Sequence, residues 1–437
     1  MGKKIPLTNI ARSKVIGKAL VKIGINYSKA KIQKFFISEP IANVEENTAK
    51  LIMDALGELK GVSVKIAQQI ALALPFLPQS YLEHINKSFN LVPPINRALV
   101  RKIIKQEFNN YPENLFKSFE TIPFGSASLG QVHKAMFDEK ELAVKIQYPG
   151  IANTIKTDMK IVRFVLSRFA AGKNIDHIIE EINQRLYEEV DYRYEAENTI
   201  FFKKNIVHPY IVIPQVYEEL STSKVLTCSY IEGKSFSEFL TSSPSQELSN
   251  HYAQLLFDTF FTTLYRLKAI HADPNPGNFL FCSDQRLGII DFGCVKYVDD
   301  DFLVPFNWLH LSLIDQCDDL TIAKQYAALN MIDTDEDENM IKFYNDVIKP
   351  LDRLYIEVLT HDIYDFGKEH YFSKRGFNAI LQVQTQQASS IHKFNQEYLF
   401  LNRTLLGYYT MFEQLGAKID TRSAKTMMLQ YKGKEHE

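Results

Sequence analysis

Two short polar motifs lie in the second half of the chain, His271-Ala-Asp273-Pro-Asn-Pro-Gly-Asn278 and Asp291-Phe-Gly293, with Asp291 18 positions after Asp273. Transfer of a phosphoryl group from a nucleotide requires Mg²⁺ with hard oxygen ligands and a group that positions the attacking oxygen. The motifs therefore predict that Asp291 and Asn278 bind the metal and that Asp273 orients or deprotonates the nucleophile. A predicted strand at residues 286–290 delivers Asp291 into its loop. Two unrelated polar turns are the alternative, but they do not account for this order and separation.

A lysine at the end of an apolar run, Glu141-Leu-Ala-Val-Lys145-Ile-Gln, lies upstream of both motifs. Such a lysine contacts nucleotide phosphates in phosphotransferases, although a lysine on an edge strand can also extend its stem along apolar surface. The motifs downstream favour the phosphate-binding interpretation. A carboxylate partner for Lys145 is expected on the acidic helix that follows, and Glu195 is favoured over Glu189. On one continuous helix, Glu195 would share a face with Asp191.

The segment before that strand reads Pro-Phe-Gly125-Ser126-Ala127-Ser128-Leu-Gly-Gln-Val-His. Protein kinases place a GxGxxG loop over the nucleotide phosphates, and this chain lacks that pattern. Small side chains still let the backbone approach phosphates, though less freely than glycine does. We therefore expect residues 125–128 to contact the nucleotide.

Local sequence patterns predict an α+β, bilobed, protein-kinase-like fold with an N-terminal helical extension and a mostly helical large lobe. The predicted division is an extension at residues 1–112, a small lobe at 113–232 and a large lobe at 233–437. A nucleotide cleft is expected between the lobes. Helices are predicted at residues 47–59, 63–74, 96–107, 151–170 and 175–204, and strands at residues 128–137, 142–147, 212–217 and 224–230.

These motifs together resemble the UbiB family of atypical kinases, also called aarF-domain-containing or coenzyme-Q kinase-like proteins. The resemblance covers roughly residues 55–300, with a looser match to about residue 420. It rests on the following markers: Lys65-Ile-Ala-Gln68, the Val92-Pro-Pro94 turn, the small-residue loop before Gly-Gln-Val-His, the AVKIQYPG run at residues 143–150, Glu189-Val-Asp191, Glu195-Ala-Glu-Asn198 and the DPNPGN run at residues 273–278.

The resemblance implies a kinase-like domain that uses ATP (or ADP) and Mg²⁺. It also implies that the extension covers the cleft, with Lys65 and Gln68 pointing into the active site and Lys65 near Glu189 and Asp291. Members support biosynthesis or distribution of ubiquinone and related isoprenoid lipids, so a lipid or membrane surface and quinone-biosynthesis proteins are expected partners. Two departures stand out, Ala67 for the family's glycine and Gly125-Ser126 for two alanines, so the choice of ATP over ADP is not carried over.

Charge and composition restrict the partners further. The formal net charge of −2 gives no support to a nucleic-acid partner. Residues 1–38, however, carry nine Lys or Arg and no acidic residue, a pattern that indicates a basic amphipathic helix on an anionic membrane or a solvated helix packed on the protein. The four cysteines lack metal-ligand spacing, and no transmembrane stretch is evident. We expect a cytoplasmic protein, peripheral at the inner membrane surface.

Two other functions compete with an ATP-dependent kinase or ATPase. An aminoglycoside-type small-molecule phosphotransferase shares the HxDxxxxN pattern but lacks the Lys65–Gln68 extension and the Gly-Gln-Val-His marker. A nucleotide-binding pseudokinase scaffold for a lipid-biosynthetic complex is compatible with every motif, because intact metal and lysine positions do not by themselves establish turnover.

Overall fold

The computed structural model describes residues 94–127, 129–152, 155, 159–160, 163, 176–332, 334–368 and 395–432. These residues form two compact units. Unit 1 holds the described residues up to Glu197 together with Gln215–Tyr230, and unit 2 holds Asn198–Pro214 and the described residues from Ile231 onward. The helices predicted at residues 47–59 and 63–74 and the basic segment 1–38 lie outside the described residues. The three-part division at residues 112 and 232 stays a prediction.

Along the described part of the chain, strands and helices often follow one another in runs of one type. The helices are α1 Arg97–Phe108, α2 Pro112–Leu115, α3 Asp176–Glu189, α4 Tyr192–Asn205, α5 Phe236–Thr241, α6 Gln246–Thr262, α7 Asp300–Ile314, α8 Asp319–Ala328, α9 Asp337–Phe343, α10 Lys349–Thr360, α11 Gln396–Gln414 and α12 Arg422–Lys432. The strands are β1 Ser118–Phe119, β2 Gly125–Ala127, β3 Gly130–Phe137, β4 Lys140–Gln147, β5 Ile211–Val212, β6 Val225–Ser229, β7 Ala269–His271, β8 Phe279–Phe281, β9 Leu287–Ile289, β10 Val295–Tyr297, β11 Ile363–Asp365 and β12 Lys418–Asp420.

Unit 1 is built on an antiparallel sheet in the order β1-β3-β4-β6, with β2 paired to β3. Burial in strand β4 alternates from Leu142 to Ile146, so Leu142, Val144 and Ile146 are buried on one face. Helix α1 contributes Val100 and Ile104 to the same apolar cluster. The other face of β4 is therefore the one that presents Lys145.

Helix α1 confirms the helix predicted at residues 96–107. It begins after Asn96, whose side chain accepts a hydrogen bond from the Leu99 amide, and it ends at Asn109 in the left-handed conformation with φ 53°. Asparagine suits both positions, because it caps helix N-termini and tolerates positive φ. The capping signals thus fix both ends of a helix whose buried face supports the sheet.

The single helix predicted at residues 175–204 is wrong, because α3 ends at Glu189 and α4 starts at Tyr192. The Tyr192 amide donates to the Ser223 carbonyl at 3.0 Å instead of continuing a helical ladder. The Asp191 carboxylate accepts from the Arg193 amide, as short acidic side chains do at turns. Asp191 and Glu195 therefore do not share a helix face. The strand predicted at residues 212–217 is likewise reduced to β5 and one bridge between Val216 and Cys228.

Unit 2 is mostly helical and is held together by an aromatic core. Phe257, Tyr326, Tyr344, Tyr409 and Phe366 are among its largest fully buried side chains. Three small sheets are set among the helices, namely β5-β9-β8, β7-β10 and β11-β12. Within the described ranges, no helix is both long and apolar enough to span a bilayer.

A buried carboxyl lies in the helical core of unit 2. Asp352 is 2% exposed, and its Oδ1 accepts hydrogen bonds from the hydroxyls of Tyr326 and Tyr398, which also contact each other at 2.9 Å. Burial raises the pKa of Asp352 to about 7, and hydrogen bonds from the tyrosines oppose that rise only in part. The folded protein therefore binds a proton here that the unfolded chain releases near pH 4.

We expect Asp352→Asn to flatten the dependence of stability on pH. The native pKa lies above the unfolded one, so Asp352 lowers the free energy of unfolding as pH rises from about 4 to about 7. Asparagine keeps an oxygen that can accept from both tyrosines, and it carries no charge. The free energy of unfolding of the variant should therefore be higher than that of wild type by roughly 2 kcal/mol at pH 8. Urea unfolding at pH 5 and pH 8 measures this difference.

The matched control is Asp362→Asn. Asp362 is an exposed carboxylate paired with Lys425, and this lysine lowers the pKa of Asp362. The lowered pKa of Asp362 lies below both measured pH values, so this carboxylate is ionised in the folded and the unfolded chain at pH 5 and at pH 8, and its removal should change stability equally at the two. Equal stability changes for Asp352→Asn at the two pH values would contradict the prediction.

Candidate functional site

Lys145 and Glu195 form a largely buried ion pair in unit 1. The Lys145 Nζ lies 2.7 Å from both carboxylate oxygens of Glu195, and Glu195 is only 6% exposed. The structure thus pairs Lys145 with Glu195. Glu189 ends α3 and so is not on the helix that carries Glu195. Two charge-assisted hydrogen bonds in a buried setting hold the ammonium at one point in space.

The start of helix α4 is fixed by contacts with the sheet, and this positions Glu195. The Gln147 side chain donates to the Val190 carbonyl at 2.7 Å, and the Tyr192 ring lies 5.1 Å from the Lys145 ammonium. Gly130 allows the close approach, because a Cβ there would lie 2.4 Å from the Ile146 carbonyl oxygen and 2.7 Å from the Tyr192 hydroxyl. The AVKIQ and GQVH markers therefore include residues that build the Lys145 environment.

The loop predicted to contact phosphates forms the short strand β2, which pairs with the start of β3. Gly125, Ser126 and Ala127 are half-buried or exposed, and Ser128 lies outside the described residues. A Cβ on Gly125 would make only an ordinary 3.7 Å contact with Val132. Gly125 is thus not required for packing within unit 1, and its role in nucleotide contact stays a prediction.

The Gln-Val-His marker forms a buried hydrogen-bond chain that sequence reasoning did not anticipate. The His133 Nδ1–H donates to the Glu120 carbonyl, and the His133 Nε2 accepts from the Gln131 amide, each at 2.8 Å. The Gln131 Oε1 accepts in turn from the Ile95 amide at 2.8 Å. Burial lowers the pKa of His133, which favours this neutral tautomer. These linked hydrogen bonds hold Ile95, the residue after Pro94, against the sheet of unit 1.

In unit 2, residues 271–278 form a loop, named here the Asp273 loop, that is closed by its own hydrogen bonds. The Asp273 Oδ1 accepts from the Asn275 amide at 3.3 Å, and the Asn275 side chain accepts from the Gly277 amide at 2.9 Å. The Asn278 Nδ2 donates to the Asp273 carbonyl at 3.1 Å. The two predicted functional residues, Asp273 and Asn278, are thereby held in one turn.

Asp291 follows strand β9, as predicted, and its loop is bonded to the Asp273 loop. The Ile290 amide donates to the Asn278 carbonyl at 3.0 Å. The His271 Nε2–H donates to the Asp291 carbonyl at 2.6 Å. The Asp291 Oδ1 accepts from the Gly293 amide at 2.9 Å. The structure thus brings Asp273, Asn278 and Asp291 together in unit 2.

The donor set around Asp291 fits Mg²⁺. Because Nδ2 of Asn278 is the donor to Asp273, its Oδ1 is the atom suited to coordinate a metal. Mg²⁺ is commonly held by one or two protein side chains together with waters and substrate phosphates. One carboxylate and one amide oxygen from Asp291 and Asn278 match that requirement.

Asn198 is a supporting residue that the family marker named but that sequence reasoning gave no role. Its Nδ2 donates to the Phe292 carbonyl at 3.1 Å, and its Oδ1 accepts from the Tyr297 hydroxyl at 2.9 Å. Phe292 is fully buried against Phe202 of α4. Asn198 thus holds the residue next to Asp291. Lys65 and Gln68 lie outside the described residues, so their placement in the active site stays a prediction.

The sequence is similar to a known protein family and to several of its members. Residues 87–325 match the model of the ABC1 atypical kinase-like domain. The chain is 25% identical to a Dictyostelium discoideum protein, probable serine/threonine-protein kinase abkA, over 96% of this chain and 79% of that protein. It is 28% identical to the rat atypical kinase COQ8B, mitochondrial, over 69% of this chain but only 59% of that protein.

A solved structure shares the fold. The Mycobacterium tuberculosis protein Rv3197, determined as a complex with erythromycin, matches with a TM-score of 0.60 and 25% identity, over 88% of this chain and 96% of that one.

Proposed function

Because the chain belongs to the ABC1 family of atypical kinase-like proteins, known also as the UbiB or aarF family, we propose that it binds ATP (or ADP) with Mg²⁺ and transfers or hydrolyses the terminal phosphoryl group. The observation that carries the proposal is the two-oxygen contact of Glu195 with Lys145. A lysine fixed by a helical glutamate is the arrangement that protein kinases need for phosphate binding. The Asp273–Asn278–Asp291 group supplies the remaining roles.

Each residue has a defined part in this proposal. Lys145 binds nucleotide phosphates, and Glu195 holds the ammonium in place. Asn278 and Asp291 would hold Mg²⁺, which neutralises charge on the phosphates when bound. Asp273, partly exposed at the start of its loop, accepts a proton from, or orients, the attacking hydroxyl or water. Residues 125–128 contact the phosphates through their backbone.

We propose further that this activity serves biosynthesis or homeostasis of ubiquinone or related isoprenoid lipids at a membrane surface. The family relationship and the basic residues between Lys3 and Lys34 support this wider role. Quinone-biosynthesis proteins are the partners that this role requires.

The direct test is ATP hydrolysis by the purified chain, with and without anionic phospholipid vesicles, paired with calorimetric titration of ATP in the presence and absence of Mg²⁺. We expect Mg²⁺ to strengthen nucleotide binding by at least about tenfold, since Asp291 and Asn278 would hold the metal and its charge would offset that of the phosphates. Turnover should rise with vesicles. Mg²⁺-dependent binding without turnover under any condition would favour a scaffold, and failure to bind nucleotide would overturn the proposal.

A further inference from the structure

Helix α11 of unit 2 contacts the Asp273 loop through two consecutive residues, Gly407 and Tyr408. Gly407 lies against Pro274, where a Cβ on Gly407 would stand 2.3 Å from Cγ and 2.9 Å from Cβ of the proline. The Tyr408 hydroxyl lies 3.3 Å from both the Nδ1 and the carbonyl oxygen of His271. The helix therefore meets the loop at the residues on either side of Asp273.

Gly407 is costly for the helix that contains it. Glycine inside a helix destabilises it by roughly 0.5–1 kcal/mol relative to alanine, and α11 runs for 19 residues. Alanine would nevertheless force Pro274 to move, because Cβ atoms essentially never approach other heavy atoms below 3.0 Å. Glycine at position 407 therefore lowers the stability of the helix but permits its close contact with the loop.

The single proton of the Tyr408 hydroxyl is shared between two acceptors of His271, the ring Nδ1 and the carbonyl oxygen, each at 3.3 Å. The His271 Nε2–H is committed to the Asp291 carbonyl, so in the neutral ring Nδ1 is an acceptor. Tyr408 is 4% exposed and packs against Phe260 and Phe279. Burial, with a smaller contribution from Asp273, raises the pKa of Tyr408, so its hydroxyl keeps the proton it donates. A continuous path runs from Tyr408 through His271 to the Asp291 backbone.

The N-terminal end of α11 is fastened to the same region. Asn395 caps the helix, and Glu397 forms an ion pair with Lys296 of β10 at 2.9 Å. Strand β10 pairs with β7, which ends at His271. Hydrogen bonds and an ion pair therefore hold α11 in place near His271, in addition to apolar packing.

We propose that Gly407 and Tyr408 are positioning residues that set the Asp273 loop and, through His271, the Asp291 backbone for phosphoryl transfer. The inference rests on the proposed function for its kinetic consequence. Its structural content, the Tyr408–His271 bond and the Gly407–Pro274 contact, is independent of turnover.

The kinetic test compares Gly407→Ala with wild type and with the double variant Gly407→Ala/Pro274→Ala. The alanine must displace Pro274 by about 1 Å, and a displacement of that size can cost roughly 100-fold in rate. We expect kcat to fall by about that factor while the KM for MgATP rises much less, because Lys145 is untouched and Asn278 lies four positions beyond the displaced Pro274. Removing the proline Cγ should restore part of kcat.

The spectroscopic test uses ¹⁵N-histidine labelling of Tyr408→Phe. Loss of the hydroxyl should move the His271 Nδ1 resonance toward that of an acceptor nitrogen without a hydrogen bond. The matched control is Tyr409→Phe, the next residue of α11, which is also buried but packs against Phe366 and Phe412. That control should leave both the His271 resonances and kcat unchanged.

The outcomes separate the two proposals. The positioning role would be overturned if Gly407→Ala had the same kcat as an active wild type, or if Tyr408→Phe left the His271 resonances unchanged. Either result would leave the proposed function standing. A wild-type chain without turnover, combined with the expected resonance shift, would support the Tyr408–His271 bond and reject phosphoryl transfer.

Discussion

Replacement of Asp291 by asparagine is expected to lower ATP hydrolysis by roughly 1,000-fold. The Asp291 Oδ1 already accepts from the Gly293 amide at 2.9 Å. Asparagine keeps that bond with its own oxygen, so its NH₂ group takes the place of the second oxygen. A neutral NH₂ group cannot ligate Mg²⁺, and the charge stabilisation supplied through the metal is lost. Initial rates at saturating ATP, measured over a range of Mg²⁺ concentrations, give the effect.

The matched control is Asp284→Asn in the turn between β8 and β9. Asp284 is an exposed carboxylate paired with Arg286, only seven positions before Asp291, so its replacement should leave the rate unchanged. Circular dichroism and unfolding midpoints establish that both variants fold. An Asp291→Asn protein that is folded and still hydrolyses ATP within about threefold of wild type would reject the assigned metal-binding role.

Gly130→Ala is expected to destabilise unit 1 by more than about 3 kcal/mol. Alanine normally stabilises a chain relative to glycine by restricting the unfolded state. Here its Cβ would lie 2.4 Å from the Ile146 carbonyl oxygen, which belongs to the backbone of β4. Strand β4 is held between β3 and β6 and cannot move without breaking one of those ladders. Urea unfolding followed by far-UV circular dichroism measures the loss.

Gly125→Ala is the control for that prediction. It makes the same chemical change five residues earlier, on the strand paired with β3, but its Cβ would meet Val132 only at an ordinary 3.7 Å. Its unfolding midpoint should lie close to that of wild type. Equal midpoints for Gly130→Ala and Gly125→Ala would show that β4 can shift to accept the methyl group.

The sequence allowed the positions of the candidate residues within each unit to be predicted, because local patterns determine those positions. The apolar run around Lys145 predicted the strand β4 that carries this lysine, and the two motifs identified Asp273, Asn278 and Asp291, which the structure places in adjoining loops. Both patterns act over a few residues, where strand period and turn chemistry decide the geometry.

Features set by distant contacts could not be predicted in this way. The break between α3 and α4 depends on the Ser223 carbonyl, some 30 residues away along the chain. The contact of Gly407 with Pro274 joins residues more than 130 positions apart. A glycine within an apolar helical pattern signals a close contact, but the sequence does not name the partner.

The self-closed Asp273 loop has a thermodynamic consequence for ligand binding. Its hydrogen bonds join Asp273, Asn275, Gly277 and Asn278 to one another, so the conformational entropy of the loop is lost when the chain folds. The proposed binding of a nucleotide would then carry no ordering cost for this segment, a cost of about 0.5–1.5 kcal/mol for each side chain that is otherwise immobilised. The Gly277 amide should accordingly be protected from hydrogen exchange before any nucleotide is added.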